Sequence, residues 1–401
     1  MKKNIKCISF SIVFSLFVCM IFQIYLESII SPLKYQDELV SCILFILLLV
    51  GLVIHRGNIY IYSRKKWNIN LKILLAIIII FLLGIIGNIA FKYQNIYAVV
   101  ADIILVFKGF ITYVFASMLF ERYSFRKYYK FINNFIRSIA VIIFLLDITN
   151  YVSGIYPIGE VRIIPTQQLF FTHPTYLASF CVVIMAILLI LQEEYKNNIF
   201  YIILIGIVAF TTQRNKVIMF LVVFMLLYYL IIIRDKRIKV SLGAVILILV
   251  IFVGYQQISS YLSNPEWART ALMSKSIEVA DDHFPIGSGF GTFATWNSGV
   301  SYSPLYYKYG LSNIWGLSPN MYQFVGDTYW PAIIAQFGYL GFGLIIYIII
   351  QIYKKISISK NKYQYMSQIS ILIYLLILST AETSFMSPVG PILCLVMAIE
   401  K

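Results

Sequence analysis

Apolar runs of roughly 16–22 residues recur along this chain, parted by short charged connectors, and each is long enough to cross a hydrocarbon core of about 30 Å. They fall at 7–26, 39–54, 73–91, 97–119, 136–153, 174–191, 199–213, 217–233, 240–257, 331–352, 366–386 and a short last one at 389–400. In lipid the backbone must satisfy its own hydrogen bonds, so such runs are helices. Of the 401 residues 60% are hydrophobic and 12% charged, whereas soluble domains carry about 25% charged residues. A water-soluble core is excluded. The expected fold is an all-α polytopic membrane protein with about twelve transmembrane helices.

One long polar segment breaks the pattern. It divides the chain into transmembrane helices 1–9 (residues 1–257), a large loop (258–330) and the C-terminal helices (331–401). The formal net charge is +15, which in a soluble protein would point to nucleic acid. Here most basic residues sit in alternate connectors. One set holds Lys2, Lys3 and Lys6, then Arg64, Lys65 and Lys66, Arg122, Arg126 and Lys127, Arg234 and Arg237, Lys354 and Lys355, and Lys360 and Lys362. The opposite set holds only Lys34, Lys92, Arg162, Arg214, Lys216, Arg269, Lys275 and Lys308. The positive-inside rule then predicts a multi-pass protein of the cell membrane with both termini cytoplasmic and the 258–330 loop outside. No nucleic-acid partner is expected. The five cysteines lie in apolar spans without metal-ligand spacing, so neither a zinc site nor a disulfide framework is indicated. No Gly-x4-Gly-Lys phosphate loop is present, so no built-in ATPase is expected. The amino-terminal run lacks a small-residue cleavage site and reads as an uncleaved first span.

Chemistry-bearing residues gather in the connectors assigned to the outside. Thr211-Thr212-Gln213-Arg214-Asn215-Lys216 places two cations in a tight turn at interface depth. A guanidinium matches the geometry of phosphate oxygens, although two turn residues snorkelling to water would look the same. Arg269 and His283 lie in the large loop, before the run Gly287-Ser288-Gly289-Phe290-Gly291. Alternating glycines suit a tight turn or close backbone approach, and without a preceding strand they do not make a dinucleotide fingerprint. Asp327 stands at the loop exit, either as a helix N-cap or as a general base. Aromatics crowd the loop, among them Trp267, Trp296, Trp315, Tyr322 and Trp330. Their faces fit sugar rings and equally fit a bilayer interface. Asp102, Lys108, Arg137 and Asp147 lie within spans, with Glu382 near a helix end. Each intramembrane charge must face the bundle interior or a wet cavity. Asp102 and Lys108, six residues apart and so about 240° around a helix, do not pair with each other.

Four segments, in order, carry a resemblance. They are Phe171-Thr172-His173-Pro174-Thr175-Tyr176-Leu177-Ala178, the segment Thr212-Gln213-Arg214-Asn215-Lys216, residues 283–293, and residues 327–341. The set, over roughly residues 160–350, resembles the O-antigen polymerase/ligase superfamily, the Wzy-type polysaccharide polymerases and their lipid A ligase relatives. The resemblance implies a GT-C-like, metal-independent glycosyltransferase without cofactors. It would join undecaprenyl-diphosphate-linked oligosaccharide repeat units outside the membrane, within a pathway that supplies a flippase and a chain-length regulator. Ligases of the superfamily usually carry His where this chain has Asp327, which favours polymerase. The interval from Arg269 to Gly287 also departs from the paired arginine–glycine motifs of some polymerases.

On that reading Arg214 and Arg269 bind the diphosphate, Asp327 takes the acceptor hydroxyl proton with His283 in reserve, and Lys216, Arg162, His173, Trp267 and Trp330 hold substrate. Two other readings remain open on the residues alone. The intramembrane charges would suit a lipid-linked oligosaccharide flippase, though no repeated halves are visible, and an accessory protein of an export complex would need no chemistry.

Overall fold

A computed structural model of the protein describes residues 2–54, 64–123, 125–235, 237 and 267–400. The expected span at 240–257, with Tyr261 and Glu266, lies outside the described residues. The chain is 74% helical. The elements that position the site are α1 (Lys2–Ile21), α2 (Gln23–Ile29), α3 (Gln36–Ile54), α4 (Arg64–Phe91), α5 (Ile96–Arg122), α6 (Tyr129–Ser153), α7 (Pro174–Leu191), α8 (Asn198–Thr211) and α9 (Asn215–Leu227). After them come α10 (Ala268–Asp282), the short α11 (Trp296–Val300) and α12 (Pro304–Lys308), then α13 (Trp330–Ile356), α14 (Lys362–Leu378) and α15 (Gly390–Met397). Among the described residues six helical segments are long and apolar enough to cross a membrane: Arg64–Phe91, Ile96–Arg122, Arg126–Ser153, Pro174–Leu191, Asn215–Ile233 and Trp330–Ile356. The protein is membrane-embedded. At eight residues α15 is only about 12 Å long, too short to span alone.

Helix α4 shows how the bundle meets lipid. Its buried stripe is Ile69, Ile73, Ala76, Ile77, Ile80, Gly84 and Gly87. Leu71, Leu75, Ile78, Leu82, Ile86 and Ile89 are equally apolar yet exposed on the other face. A helix apolar on both faces, at 3–4-residue spacing, has protein on one side and hydrocarbon on the other. Helix α7 is apolar all round and 94% buried over its span. It packs on α8, α14, α6 and α15 as the central post of its half.

The connectors sort into two ends of the bundle. At one end Lys66 pairs with Glu400 at 2.7 Å, Lys355 with Glu121 at 2.5 Å, Arg126 with Glu194 at 3.3 Å and Lys362 with Asp235 at 3.8 Å. At the other end the 92–95, 154–173, 212–214, 283–329 and 379–389 segments meet. Gln94 bonds Ser301 O at 2.6 Å, Arg162 bonds Gln213 O at 3.0 Å and Trp330 Nε1 bonds Ser379 Oγ at 3.0 Å.

The large loop is folded onto this second end through its glycines. Helix α13 is interrupted at Gly338, whose φ is 62°, and the interruption leaves backbone carbonyls without helical partners. Ser288 N–H and Gly289 N–H take them up, donating to Ala335 O and Gln336 O at 2.9 Å each. Phe290 N–H donates to Asn88 Oδ1 at 2.9 Å and Gly291 N–H to Asp102 Oδ2 at 2.8 Å. Gly289, at φ 95°, leaves no room for a side chain, because a Cβ there would lie 2.6 Å from Asn88 N. The run is a structural clasp between α4, α5 and α13.

The intramembrane charges have structural partners as well. Asp102 anchors the clasp and also accepts from Asn297 Nδ2 at 3.3 Å. Lys108 bonds Asp37, not Asp102. Arg137 donates to Asn198 Oδ1 at 2.7 Å, and Asp147 accepts from Thr211 Oγ1 at 2.9 Å. Replacing Asp102 by Ala strands the buried Gly291 N–H, so stability should fall by about 1–3 kcal/mol, and the 283–295 segment should become protease-sensitive in detergent. Asp102→Asn, which keeps an acceptor oxygen, should recover most of the loss.

Candidate functional site

The turn between α8 and α9 sets the first cation. Gln213, two residues past the end of α8, lies in the left-handed region at φ 49°, and its amide donates to Phe210 O at 2.9 Å. Arg214 then adopts extended backbone as the residue preceding α9. A small antiparallel hairpin, β1 (Ile158–Val161) with β2 (Pro165–Gln167), lies in the connector after α6. Its tip carries Arg162, whose Nη1 donates to Gln213 O at 3.0 Å. Two guanidiniums from separate elements thus lie over one turn.

His173 closes the arrangement from the start of α7. Its Nε2 lies 3.0 Å from Arg214 Nη2 and its Nδ1 3.3 Å from Thr175 N. Burial, and then the charges of Arg214 and Lys216, hold the ring below the usual histidine pKa, with Glu382 opposing. A neutral imidazole accepts at a single nitrogen. The two donors facing it therefore cannot both be satisfied, and Arg214 Nε is buried with no partner. The Arg214 guanidinium keeps unused donor capacity.

Two ion pairs complete the cluster. Arg269, in the first turn of α10, donates to Asp327 Oδ2 at 2.8 Å. Lys216 bonds the Glu382 carboxylate, which follows α14, and donates to Ala381 O at 3.4 Å. The 379–382 segment links the two pairs, since Trp330 Nε1, three residues after Asp327, donates to Ser379 Oγ at 3.0 Å while Lys216 holds Ala381 and Glu382. Asp327 does not cap α13. The residue before that helix is Tyr329, and it makes no side-chain cap. Burial raises the Asp327 pKa above the ordinary carboxylate value, against the lowering effect of Arg269. Burial and Arg162 lower that of Arg214, against Glu382 and Glu160. Among the described residues neither Arg162 nor Arg214 has a carboxylate within ion-pair distance.

The structure therefore gathers Arg162, His173, Arg214, Lys216, Arg269 and Asp327. Trp330 lies alongside, bonded to Ser379 and edge-on to Tyr329 with ring centroids 5.1 Å apart. Trp267 precedes α10, two residues before Arg269, and is 45% exposed. His283 is not brought in. Its Nδ1 donates to Val279 O at 2.6 Å and its Nε2 faces Tyr93 Oη at 3.0 Å, with the ring edge-on to Phe91. Both nitrogens are used at the clasp, so this reserve base has a structural place instead.

Glu382 is the member that sequence reasoning left without a role. It lies 166 residues from Lys216, and its position near a helix end was the only signal. Tyr176 was likewise seen only inside a motif. Its ring lies 6.2 Å from that of His173, and it also lines an apolar cavity with Met20, Ile24, Phe171, Phe180 and Ile392. No protein-family model matches the chain, and no curated protein matches it.

Because Asp327 keeps protons in the folded state that it would lose unfolded, its contribution to stability should fall as pH rises from the ordinary carboxylate value through its raised one. Arg269→Ala should raise the Asp327 pKa further, and Glu382→Gln should lower it. Carbon-13 NMR of labelled aspartate over a pH series reads both directions.

Proposed function

We propose that this protein is a polysaccharide polymerase that joins undecaprenyl-diphosphate-linked oligosaccharide repeat units on the external membrane face. The observation that carries this is the pair Arg162 and Arg214, converging on one turn with no carboxylate within ion-pair distance among the described residues, while the neighbouring Lys216 and Arg269 each pair with one. Two uncompensated guanidiniums suit a diphosphate, which accepts bidentate donors. We assign the cluster's end of the bundle to the outside, with both termini cytoplasmic, in a GT-C-like bundle of about twelve crossings.

In the reaction the acceptor sugar hydroxyl attacks the anomeric carbon of the growing chain, and the bond from that carbon to the diphosphate oxygen breaks. Negative charge grows on the departing lipid diphosphate. Arg214 and Arg162 stabilise it, with their donors already in place. Asp327 takes the hydroxyl proton, and a carboxylate with a raised pKa is the stronger base. Arg269 holds that carboxylate in position, and Glu382 holds Lys216 beside it. No external energy is needed, because the glycosyl–diphosphate bond is activated. A flippase and a chain-length regulator of the same pathway are the partners this role requires.

Flipping of the lipid-linked unit is the other reading, and it leaned on Asp102, Lys108 and Arg137. Each of these has a fixed partner, which favours the enzyme. Arg214→Ala and Asp327→Asn should each cut chain extension by about 100-fold or more while protein still reaches the membrane, the scale of losing one oriented transition-state group. Sized lipid-linked intermediates check this. Single repeats exposed outside support a polymerase, whereas repeats trapped inside would turn the reading to transport.

A further inference from the structure

Among the aromatic side chains of the 292–326 stretch, two pairs each set a strongly exposed tryptophan against a partner ring near Asp327. Trp296, 52% exposed, packs on Tyr322 with ring centroids 5.4 Å apart. Trp315, 67% exposed, packs on Phe324 at 5.0 Å. Tyr322 and Phe324 stand two residues apart, so the two pairs are carried by one short segment. The strip is tied to the site by backbone. Asp327 N–H donates to Phe324 O at 3.2 Å, closing one turn. Gly326 abuts the start of α11 so closely that a Cβ there would lie 3.3 Å from Trp296 N.

We infer that Trp296, Tyr322, Phe324 and Trp315 form a carbohydrate-binding track that leads the glycan away from Asp327. The inference rests on the polymerase reading, and adds where the sugar chain lies and what kind of sugar it holds.

Aromatic faces pack on the apolar C–H faces of sugar rings. The rims of the track supply the matching hydrogen bonds, since Gln323 lies between Tyr322 and Phe324, and Asn313 precedes Trp315 by two residues; both are exposed. Charge narrows the occupant. From 292 to 326 Lys308 is the one charged residue, and it is engaged with Asp282 at 2.9 Å. A surface built for anionic lipid would carry several Lys or Arg, and one built for acidic sugars would carry cations. The track therefore takes uncharged sugar rings. Because it starts one turn from the proton acceptor, its occupant is the glycan part of the lipid-linked substrate.

The test uses the full-length protein in lipid nanodiscs. The probe is a size-graded set of oligosaccharides, cut from the polysaccharide of the cells that make the protein and titrated by calorimetry. Trp296→Ala and Trp315→Ala should each weaken binding about tenfold, the loss of one stacked ring. Trp296→Phe and Trp315→Phe should retain most of it, which separates stacking from misfolding. In the deletion strain, either alanine variant should shift the polymer to shorter chains. Binding by the alanine variants within twofold of the unsubstituted protein overturns the track alone. Quenching of Trp296 and Trp315 by brominated lipid, with no effect of oligosaccharide, overturns it in favour of a membrane-seated strip. A deletion strain with unchanged polymer overturns the polymerase reading and the track with it.

Discussion

The clasp of residues 287–291 on the broken helix α13 is the contact on which the rest of the site depends. A helix interrupted inside a dry bundle exposes carbonyls that cannot reach water, and each unmet backbone group costs free energy. Ser288 and Gly289 meet them with their own N–H groups, while Asn88 Oδ1 and Asp102 Oδ2 accept the N–H groups of Phe290 and Gly291. One set of hydrogen bonds thus satisfies both partners. It also pins the segment at its middle, between α10 and α11, with Arg269 on one side of the pinned point and Asp327 on the other.

Around that scaffold the charges are divided unequally. Lys216 and Arg269 each have a carboxylate, and the Asp327 carboxyl stays partly desolvated between them. Arg162 and Arg214 are held by a backbone carbonyl and a neutral imidazole, which orient a guanidinium without cancelling its charge. Net positive charge is therefore left at one point, with donors aimed and, among the described residues, no carboxylate within ion-pair distance of either guanidinium. Such a point is stable only at an interface, where water or an anion can complete the shell.

Some of this arrangement was legible before any coordinates. The turn cations Arg214 and Lys216 stood out because they run against the distribution of basic residues along the chain, and Asp327 because it stands at the loop exit. The glycine run was readable as close backbone approach, since alternate glycines have few other uses. Asp102 was readable only as a cost; its use as an acceptor for Gly291 N–H depends on a partner 189 residues away. Glu382 was present as a charge without a role for the same reason. His283 looked as reactive as any histidine in a polar loop, and only its two occupied nitrogens give it a structural place.

The sequence by itself determined the membrane environment and the helical class. Apolar length and the exclusion of charge act locally, residue by residue, and lipid permits no other backbone solution. It also pointed to the polar connectors as the place of the candidate site residues. The tertiary structure alone decided which charges neutralise one another, which arginines stay uncompensated, and where the aromatic strip begins. Those outcomes are sums of long-range contacts between connectors from separate helices, and spacing along the chain carries no record of such contacts.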